Sequence, residues 1–100
     1  MLEGFRTYRL SKELYGACKK VPAAHYERDQ LLRAALSVVL NLAEGSAKAT
    51  PKERRRFYGI SLASLREVQA ILDLLPRREE FALADRLGGG LYRLSRSPEA

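Results

Sequence analysis

LLRAALSVVLNLAEG at residues 31–45 and FYGISLASLREVQAILDLL at residues 57–75 are the two stretches that decide the fold of this chain. Apolar residues recur in both at intervals of three and four, which is the period of an amphipathic α-helix. The segment between them is short and basic, so the sequence predicts a helical hairpin. The helix predicted from the stretch at residues 31–45 carries two apolar stripes. One consists of Leu31, Ala35, Val38 and Leu42, and the other of Leu32, Leu36, Val39 and Ala43. A bundle neighbour needs only one face, so the second stripe predicts self-association.

Local signals divide the whole chain into four helices, predicted over residues 5–20, 26–44, 51–75 and 79–94. Pro22 ends the first helix, and Gly45 is suited to the left-handed position after the second. Thr50, Pro51 and Glu53 form the start signal of the third helix, with a capping threonine, a proline at the first helical position and a capping-box glutamate. Short connections between amphipathic helices favour antiparallel neighbours. We therefore predict an all-α, up-down-up-down four-helix bundle forming a single domain of residues 1–100.

The core stripes of the outer two helices follow the same reasoning. The first helix has Leu10, Leu14, Ala17 and Val21 at helical spacing, and the fourth has Ala84, Leu87, Leu91 and Leu94. The run Gly88, Gly89 and Gly90 interrupts the fourth helix, and each glycine costs about 1 kcal/mol relative to alanine in a helix interior. We expect either a kink or a very close backbone contact at these glycines.

Composition restricts the classes of partner. The chain of 100 residues has 18 Lys and Arg against 12 Asp and Glu, a net charge of +6 that favours polyanionic partners such as nucleic acid. A domain this small leaves much apolar surface exposed unless it packs on a partner. Its single cysteine, Cys18, excludes an internal disulfide and suits a reducing compartment. No signal peptide or membrane-spanning run is recognisable, which predicts a cytoplasmic protein without a membrane partner.

Polar residues beside the apolar stripes are the candidates for chemistry. Arg33, Ser37, Asn41 and Glu44 follow each other at spacings of four, four and three on the second helix, and Ser61, Ser64 and Glu67 form a shorter strip on the third. One interpretation is structural, with these groups hydrogen-bonded across a helix contact. The other makes Glu44 and Glu67 an acid/base or metal-binding pair. His25 is the only histidine and lacks the Glu-x-x-His spacing of di-metal bundles, so we predict no metal, no cofactor and no enzymatic activity.

The basic segment is the stronger functional signal. Lys48, Lys52, Arg54, Arg55 and Arg56 set five cations against Glu53 within nine residues. The exposed amides of a helix N-terminus add to the attraction for an anion. Arg6 and Arg9 belong to a second basic array along the first helix. These residues are the candidate nucleic-acid contacts, and the alternative interpretation is a solvated charge run.

Several of the residues quoted above form a signature. RAALS at residues 33–37, NLAEG at 41–45, Phe57, and ASLRE at 63–67 closely resemble the signature of small bacterial four-helix-bundle proteins. This group includes the proteins encoded in intervening sequences of large-subunit ribosomal RNA genes and the accessory variability determinants of diversity-generating retroelements. The resemblance spans roughly residues 8–75, and the triple glycine departs from it.

The resemblance implies a ring-like homopentamer of four-helix subunits. In retroelement members the ring is basic and associates with the reverse transcriptase and with nucleic acid. It also implies that the motif residues form the framework for packing helices and subunits, namely Arg33, Asn41, Glu44, Phe57, Ser64 and Glu67. We therefore expect a non-enzymatic accessory protein that binds RNA or DNA, with a reverse transcriptase as a candidate partner. The alternative is a protein interaction scaffold that does not touch nucleic acid.

Overall fold

The structure, a computed structural model that describes residues 2–99, consists of helices and short connections in that range, with no strand. Its helices are α1 (Leu2–Cys18), α2 (His25–Ser46), α3 (Pro51–Leu74) and α4 (Arg78–Arg96). Every predicted boundary lies within three residues of the observed one, and the four-helix prediction is confirmed. Both α1 and α3 pack against α2 and α4, so the helices form a square bundle measuring 40 × 20 × 17 Å. Across residues 2–99, no helix combines the length and hydropathy needed to cross a membrane.

The core follows the predicted stripes on α2 and α4 but only in part on the first helix, where Leu14 and Val21 are buried. Leu31, Ala35, Val38 and Leu42 are buried on α2, and the four predicted core residues of α4 are buried as well. On α1 the buried face instead carries Thr7, Ser11, Leu14 and Cys18. The prediction that Leu10 and Ala17 belong to the core stripe is wrong, because both are only half-buried. The hydroxyls of Thr7 and Ser11 donate to carbonyls of their own helix, which satisfies them inside the core.

The end of α1 is held by an arginine from the next helix. Arg28 of α2 donates hydrogen bonds to the carbonyl oxygens of Val21 at 3.0 Å and Lys19 at 2.6 Å. These carbonyls lie just beyond Cys18, where the helix has no intrahelical donors left. Arg28 therefore fixes the α1–α2 connection, a role that spacing alone did not indicate.

Gly45 lies inside α2, and the prediction that it ends the helix in a left-handed conformation is wrong. No glycine among the described residues has a positive φ, and α2 continues to Ser46 with Ala47 as its C-cap. A Cβ placed on Gly45 would lie 2.9 Å from Cβ of Phe57 and 3.0 Å from Cε1 of Tyr58. Glycine is needed here because α3 approaches the backbone of α2 too closely for a side chain.

The start of α3 has the predicted cap. The hydroxyl of Thr50 accepts a hydrogen bond from the backbone N–H of Glu53 at 3.2 Å, and Pro51 is the first helical residue. The Thr50 hydroxyl also lies 3.2 Å from Oε1 of Glu53. An N-cap of this kind contributes about 1 kcal/mol and sets the direction in which α3 leaves the turn.

The three glycines of α4 do not interrupt the helix, which runs through them to Arg96. A Cβ on Gly90 would lie 2.5 Å from Oγ1 of Thr7 on α1, and one on Gly88 would lie 3.3 Å from a guanidinium nitrogen of Arg66 on α3. The second of the two expected outcomes, a close backbone contact, is therefore the one observed. It allows α4 to pack tightly against both of its neighbours.

Candidate nucleic-acid interface

Positive charge is concentrated in the half of the bundle that contains the α2–α3 turn. This basic half consists of residues 2–10, 36–62 and 88–99, which the antiparallel helices bring to one end. It holds nine Lys and Arg against four Asp and Glu, so it carries +5 of the net +6. Its basic residues are Arg6, Arg9, Lys48, Lys52, Arg54, Arg55, Arg56, Arg93 and Arg96. The end of the bundle that joins α2 to α3 is thus the part of the surface most attractive to an anion.

Two of the predicted contacts, Arg54 and Arg55, also hold the backbone. Arg54 donates to the carbonyl oxygens of Lys48 at 3.0 Å and Ala49 at 3.2 Å, which fixes the turn. Arg55 donates to the carbonyl oxygen of Ser97 at 3.2 Å and so ties the end of α4 to α3. Both side chains are half-buried. Replacing them would therefore disturb the turn as well as the charge.

The more accessible predicted contacts are Lys52 and Arg56 on α3 and Arg6 and Arg9 on α1, all of them exposed. Lys52 and Arg56 are four residues apart and share one face of the helix. Lys48 is less available, because its ammonium lies 3.0 Å from the carboxylate of Glu44.

Aromatic rings lie beneath several of these cations. Lys48 Nζ is 4.9 Å from the centroid of the Phe57 ring, and Cζ of Arg56 is 5.3 Å from the same centroid. Cζ of Arg9 lies 5.7 Å from the ring of Phe5. Cation–π contacts of this kind hold the long side chains against the surface and are worth about 0.5–1 kcal/mol when exposed. Phe57 thus positions two cations, and its Cβ lies close to the backbone of Gly45 on α2.

The polar strip joins α2 to α3. The hydroxyls of Ser37 and Ser64 lie 2.7 Å apart, and the amide of Asn41 donates to the carbonyl and the hydroxyl of Ser37 at 2.9 and 3.1 Å. Ser61 donates to the carbonyl of Val38 at 2.7 Å from a fully buried position. Ser37, Ser61 and Ser64 therefore join the two helices, whereas the hydrogen bonds of Asn41 stay within α2.

Glu44 and Glu67 do not form a pair. Glu44 precedes Gly45, which packs against Phe57 at the start of α3. Glu67 lies ten residues further along α3, a distance of about 15 Å at 1.5 Å per residue. Two carboxylates this far apart cannot share a reacting atom or a metal ion. Within residues 2–99 no group of three or more His, Cys, Asp and Glu side chains is placed to hold a metal.

An apolar patch covers the outer surface of the α2–α3 pair. Leu36, Leu40 and Ile60 are exposed by 39, 56 and 38%, and Ala63 is exposed beside them. The hydrogen bond from Ser61 to Val38 sets the register of the two helices and places these residues within about two turns of each other. Arg33 and Glu67 are exposed at one end of the patch, and Glu44 is exposed at the other. Of the second stripe predicted on α2, only Leu36 belongs to this patch. Leu32, Val39 and Ala43 are half-buried, and the exposed Leu40 was in neither predicted stripe.

A sequence model of the 23S rRNA-intervening sequence protein family matches residues 5–85. The chain belongs to this family. The resemblance inferred from the motif residues is thereby confirmed at the level of the family. Searches of the curated proteins and of the solved structures found no match to this chain.

The part of the chain that matches the family model contains most of the site. It includes the apolar patch and seven of the nine cations of the basic half, and it ends before the triple glycine. Arg93 and Arg96 lie outside it. Arg93 donates to the carboxylate of Glu3 at 2.9 Å, which joins the end of α4 to the start of α1 and holds the pKa of Glu3 below its usual value.

A cleft in the basic half was not recognisable from the sequence. It has a volume of about 500 Å³ and lies where the start of α1 meets the end of α2 and the start of α3. Among the described residues its lining is Gly4, Phe5, Tyr8, Leu42, Ala43, Ser46, Arg54 and Tyr58. These residues come from three helices, so no periodicity could indicate them. Tyr8 is half-buried and packs against the core, and it also forms part of this concave surface.

Cys18 and His25 offer little chemistry at the opposite end of the bundle. Cys18 is fully buried, and burial raises the pKa of its thiol to about 11. A thiol with this pKa is protonated and unreactive at neutral pH. His25 is exposed at the start of α2, and its Nε2 lies 3.3 Å from the carboxylate of Asp29.

Proposed function

We propose that this chain is a non-enzymatic, homo-oligomeric protein that binds RNA or DNA through its basic half and assists a nucleic-acid enzyme. The observation that carries the proposal is the concentration of +5 of the net charge in that half, with Lys52, Arg56, Arg6 and Arg9 exposed on its surface. The family name, which refers to intervening sequences of 23S rRNA, supports a role connected with nucleic acid. The protein would act in a reducing compartment such as the cytoplasm, in keeping with its lone thiol.

A salt titration with a charge-reversal variant tests nucleic-acid binding. The variant Lys52→Glu/Arg56→Glu removes two exposed cations that donate no hydrogen bond to the turn. An acidic side chain near the start of α3 is also favoured by the helix dipole, so we expect the variant to fold. Each lost phosphate contact should lower the slope of log K against log salt by about one for a duplex, or about 0.7 for a single strand.

The matched control is Lys20→Glu/Arg78→Glu, which makes the same change of charge at two exposed residues of the opposite half. Binding would be measured by fluorescence anisotropy with labelled single-stranded and duplex RNA and DNA. We expect the control to weaken binding much less than the test variant. Equal losses in the two variants would show that net charge acts without a defined site, and unchanged binding in the test variant would refute the assignment.

Self-association is the second part of the proposal, and the apolar patch supports it. Leu40 of α2 and Ile60 of α3 are exposed large apolar side chains, and burying a leucine contributes about 1.5–3 kcal/mol. We propose a ring-like pentamer, as the resemblance implies. Multi-angle light scattering should then give about five times the chain mass of 11.3 kDa, and Leu40→Glu should reduce it. A wild-type protein with the mass of a single chain would contradict self-association.

The enzyme assisted would be a reverse transcriptase if the protein serves a diversity-generating retroelement. Neighbouring genes test this part cheaply, because such elements encode the reverse transcriptase beside template repeats. Co-purification of that enzyme with the wild-type protein is the expected result. The alternative, a protein scaffold without nucleic-acid binding, is supported by the apolar patch, and it predicts an intact oligomer that binds none of the four nucleic acids.

A further inference from the structure

The aromatic cleft in the basic half has features of a ligand site. Phe5 and Tyr8 of α1 and Tyr58 of α3 contribute three of the eight aromatic residues of the chain to its lining. Its volume of about 500 Å³ is in the range of clefts that bind small planar ligands. Phe5 is 59% exposed at this cleft, although an apolar ring of that size is normally buried.

Polar groups accompany the rings. Arg54 lies in the lining, and the phenol of Tyr58, which is protonated at neutral pH, can donate a hydrogen bond. The hydroxyl of Ser46 donates to the carbonyl of Ala43 at 2.8 Å, which leaves its oxygen able to accept. The cleft therefore combines stacking surfaces with both donors and an acceptor.

The charge around the cleft selects an anionic ligand. Cζ of Arg9 lies 5.7 Å from the centroid of the Phe5 ring, and Arg54 lies in the lining of the cleft. A nucleotide in a single strand has an aromatic base attached to a phosphate backbone, and aromatic side chains beside a basic surface are how proteins hold unpaired bases. The bases of a duplex are stacked on one another and cannot enter a cleft without being extruded.

We propose that this cleft accepts one unpaired base of single-stranded nucleic acid, stacked on Phe5 and Tyr8, while the surrounding cations bind the adjacent phosphates. The inference rests on the nucleic-acid binding proposed above and adds a preference for single strands. Removing the stacking of one base on an aromatic side chain lowers the affinity roughly five- to hundredfold.

The test compares two oligonucleotides of equal length and charge, an oligothymidylate and an abasic strand with the same phosphates. Fluorescence anisotropy at fixed salt should show the wild-type protein binding the oligothymidylate roughly five- to hundredfold more tightly. Equal and measurable binding of both strands would overturn the base-binding cleft and leave the proposed phosphate binding intact. Failure to bind either strand would refute both.

Phe5→Ala is the deciding variant, because the exposed ring can be removed with little risk to folding. It should lower affinity for the oligothymidylate but leave affinity for the abasic strand unchanged. The matched control is Tyr92→Ala, which removes a ring that is 49% exposed in the same half but outside the cleft. We expect the control to retain the base preference. An equal loss of affinity for the oligothymidylate in both variants would overturn the proposal. A lower oligomeric mass for Phe5→Ala with the base preference unchanged would also overturn it, because a second copy of the chain would then occupy the cleft.

Discussion

Gly45 is the residue at which a single methyl group tests the packing of α2 against α3. In Gly45→Ala the new Cβ would lie 2.9 Å from Cβ of Phe57, an atom that cannot move by a change of rotamer. Overpacking of this kind costs about 1–3 kcal/mol, whereas replacing a helical glycine by alanine gains about 1 kcal/mol. We therefore expect the free energy of unfolding to change by between about zero and a loss of 2 kcal/mol.

Gly59→Ala is the matched control, because a Cβ on Gly59 meets nothing within 4 Å in the same helical hairpin. It should gain about 1 kcal/mol through helix propensity alone. The two variants should then differ by about 1–3 kcal/mol, which corresponds to at least about 4 °C in Tm for a domain of this size. Circular dichroism at 222 nm during urea and thermal unfolding measures the difference, with all proteins at one concentration because self-association would shift it. If Gly45→Ala were as stable as Gly59→Ala, the close approach of the helices would be refuted.

Three further predictions concern the other end of the bundle. The thiol of Cys18 has a pKa of about 11 in the folded protein and an ordinary pKa in urea. It should therefore react with a disulfide reagent at pH 8 on the order of a hundredfold more slowly in the folded protein than in urea. Equal rates would contradict its burial. The pKa of Glu80 is lowered chiefly by its hydrogen bonds to Arg77, so its contribution to stability is present above pH 4.5 and lost as the pH falls through the lower folded value. Lowering the pH from 7 to 3 should therefore destabilise the wild type more than Glu80→Gln, as measured by thermal unfolding. Parallel plots of Tm against pH for the two proteins would rule this out. Arg28→Met should lower the free energy of unfolding by about 1–3 kcal/mol because the carbonyl of Val21 loses a charged donor, whereas a loss below 0.5 kcal/mol would show that water replaces it.

The sequence predicted the helices well because their signals are local. The cap of Thr50 on Glu53 depends on residues three apart, and the stripe from Leu31 to Leu42 depends on the helical period alone. Spacing also placed Ser37 and Asn41 on one face of α2, but the contact of Ser37 with Ser64 depends on how α2 and α3 pack.

The errors occurred where a neighbouring helix decides the role of a residue. Gly45 has the composition signal of a helix end, but the approach of α3 makes it an interior contact. Thr7 lies on the buried face of α1 because Gly90 allows the backbones of α1 and α4 to approach closely. Leu10 therefore lies at the edge of the core. No pattern within one helix carries that information.

The candidate site divides in the same way. Charge along the chain was enough to indicate the basic turn, because the number of cations between two helices does not depend on how the helices pack. Only the tertiary structure showed that Arg54 and Arg55 also bind backbone carbonyls and that Phe5, Tyr8 and Tyr58 line one cleft. By itself, then, the sequence determined the four helices, their apolar faces and the position of the charge, since these depend on neighbours within a few residues. The cleft and the anchored arginines were decided by packing, because each joins groups far apart in the chain whose distances depend on how closely the helices approach.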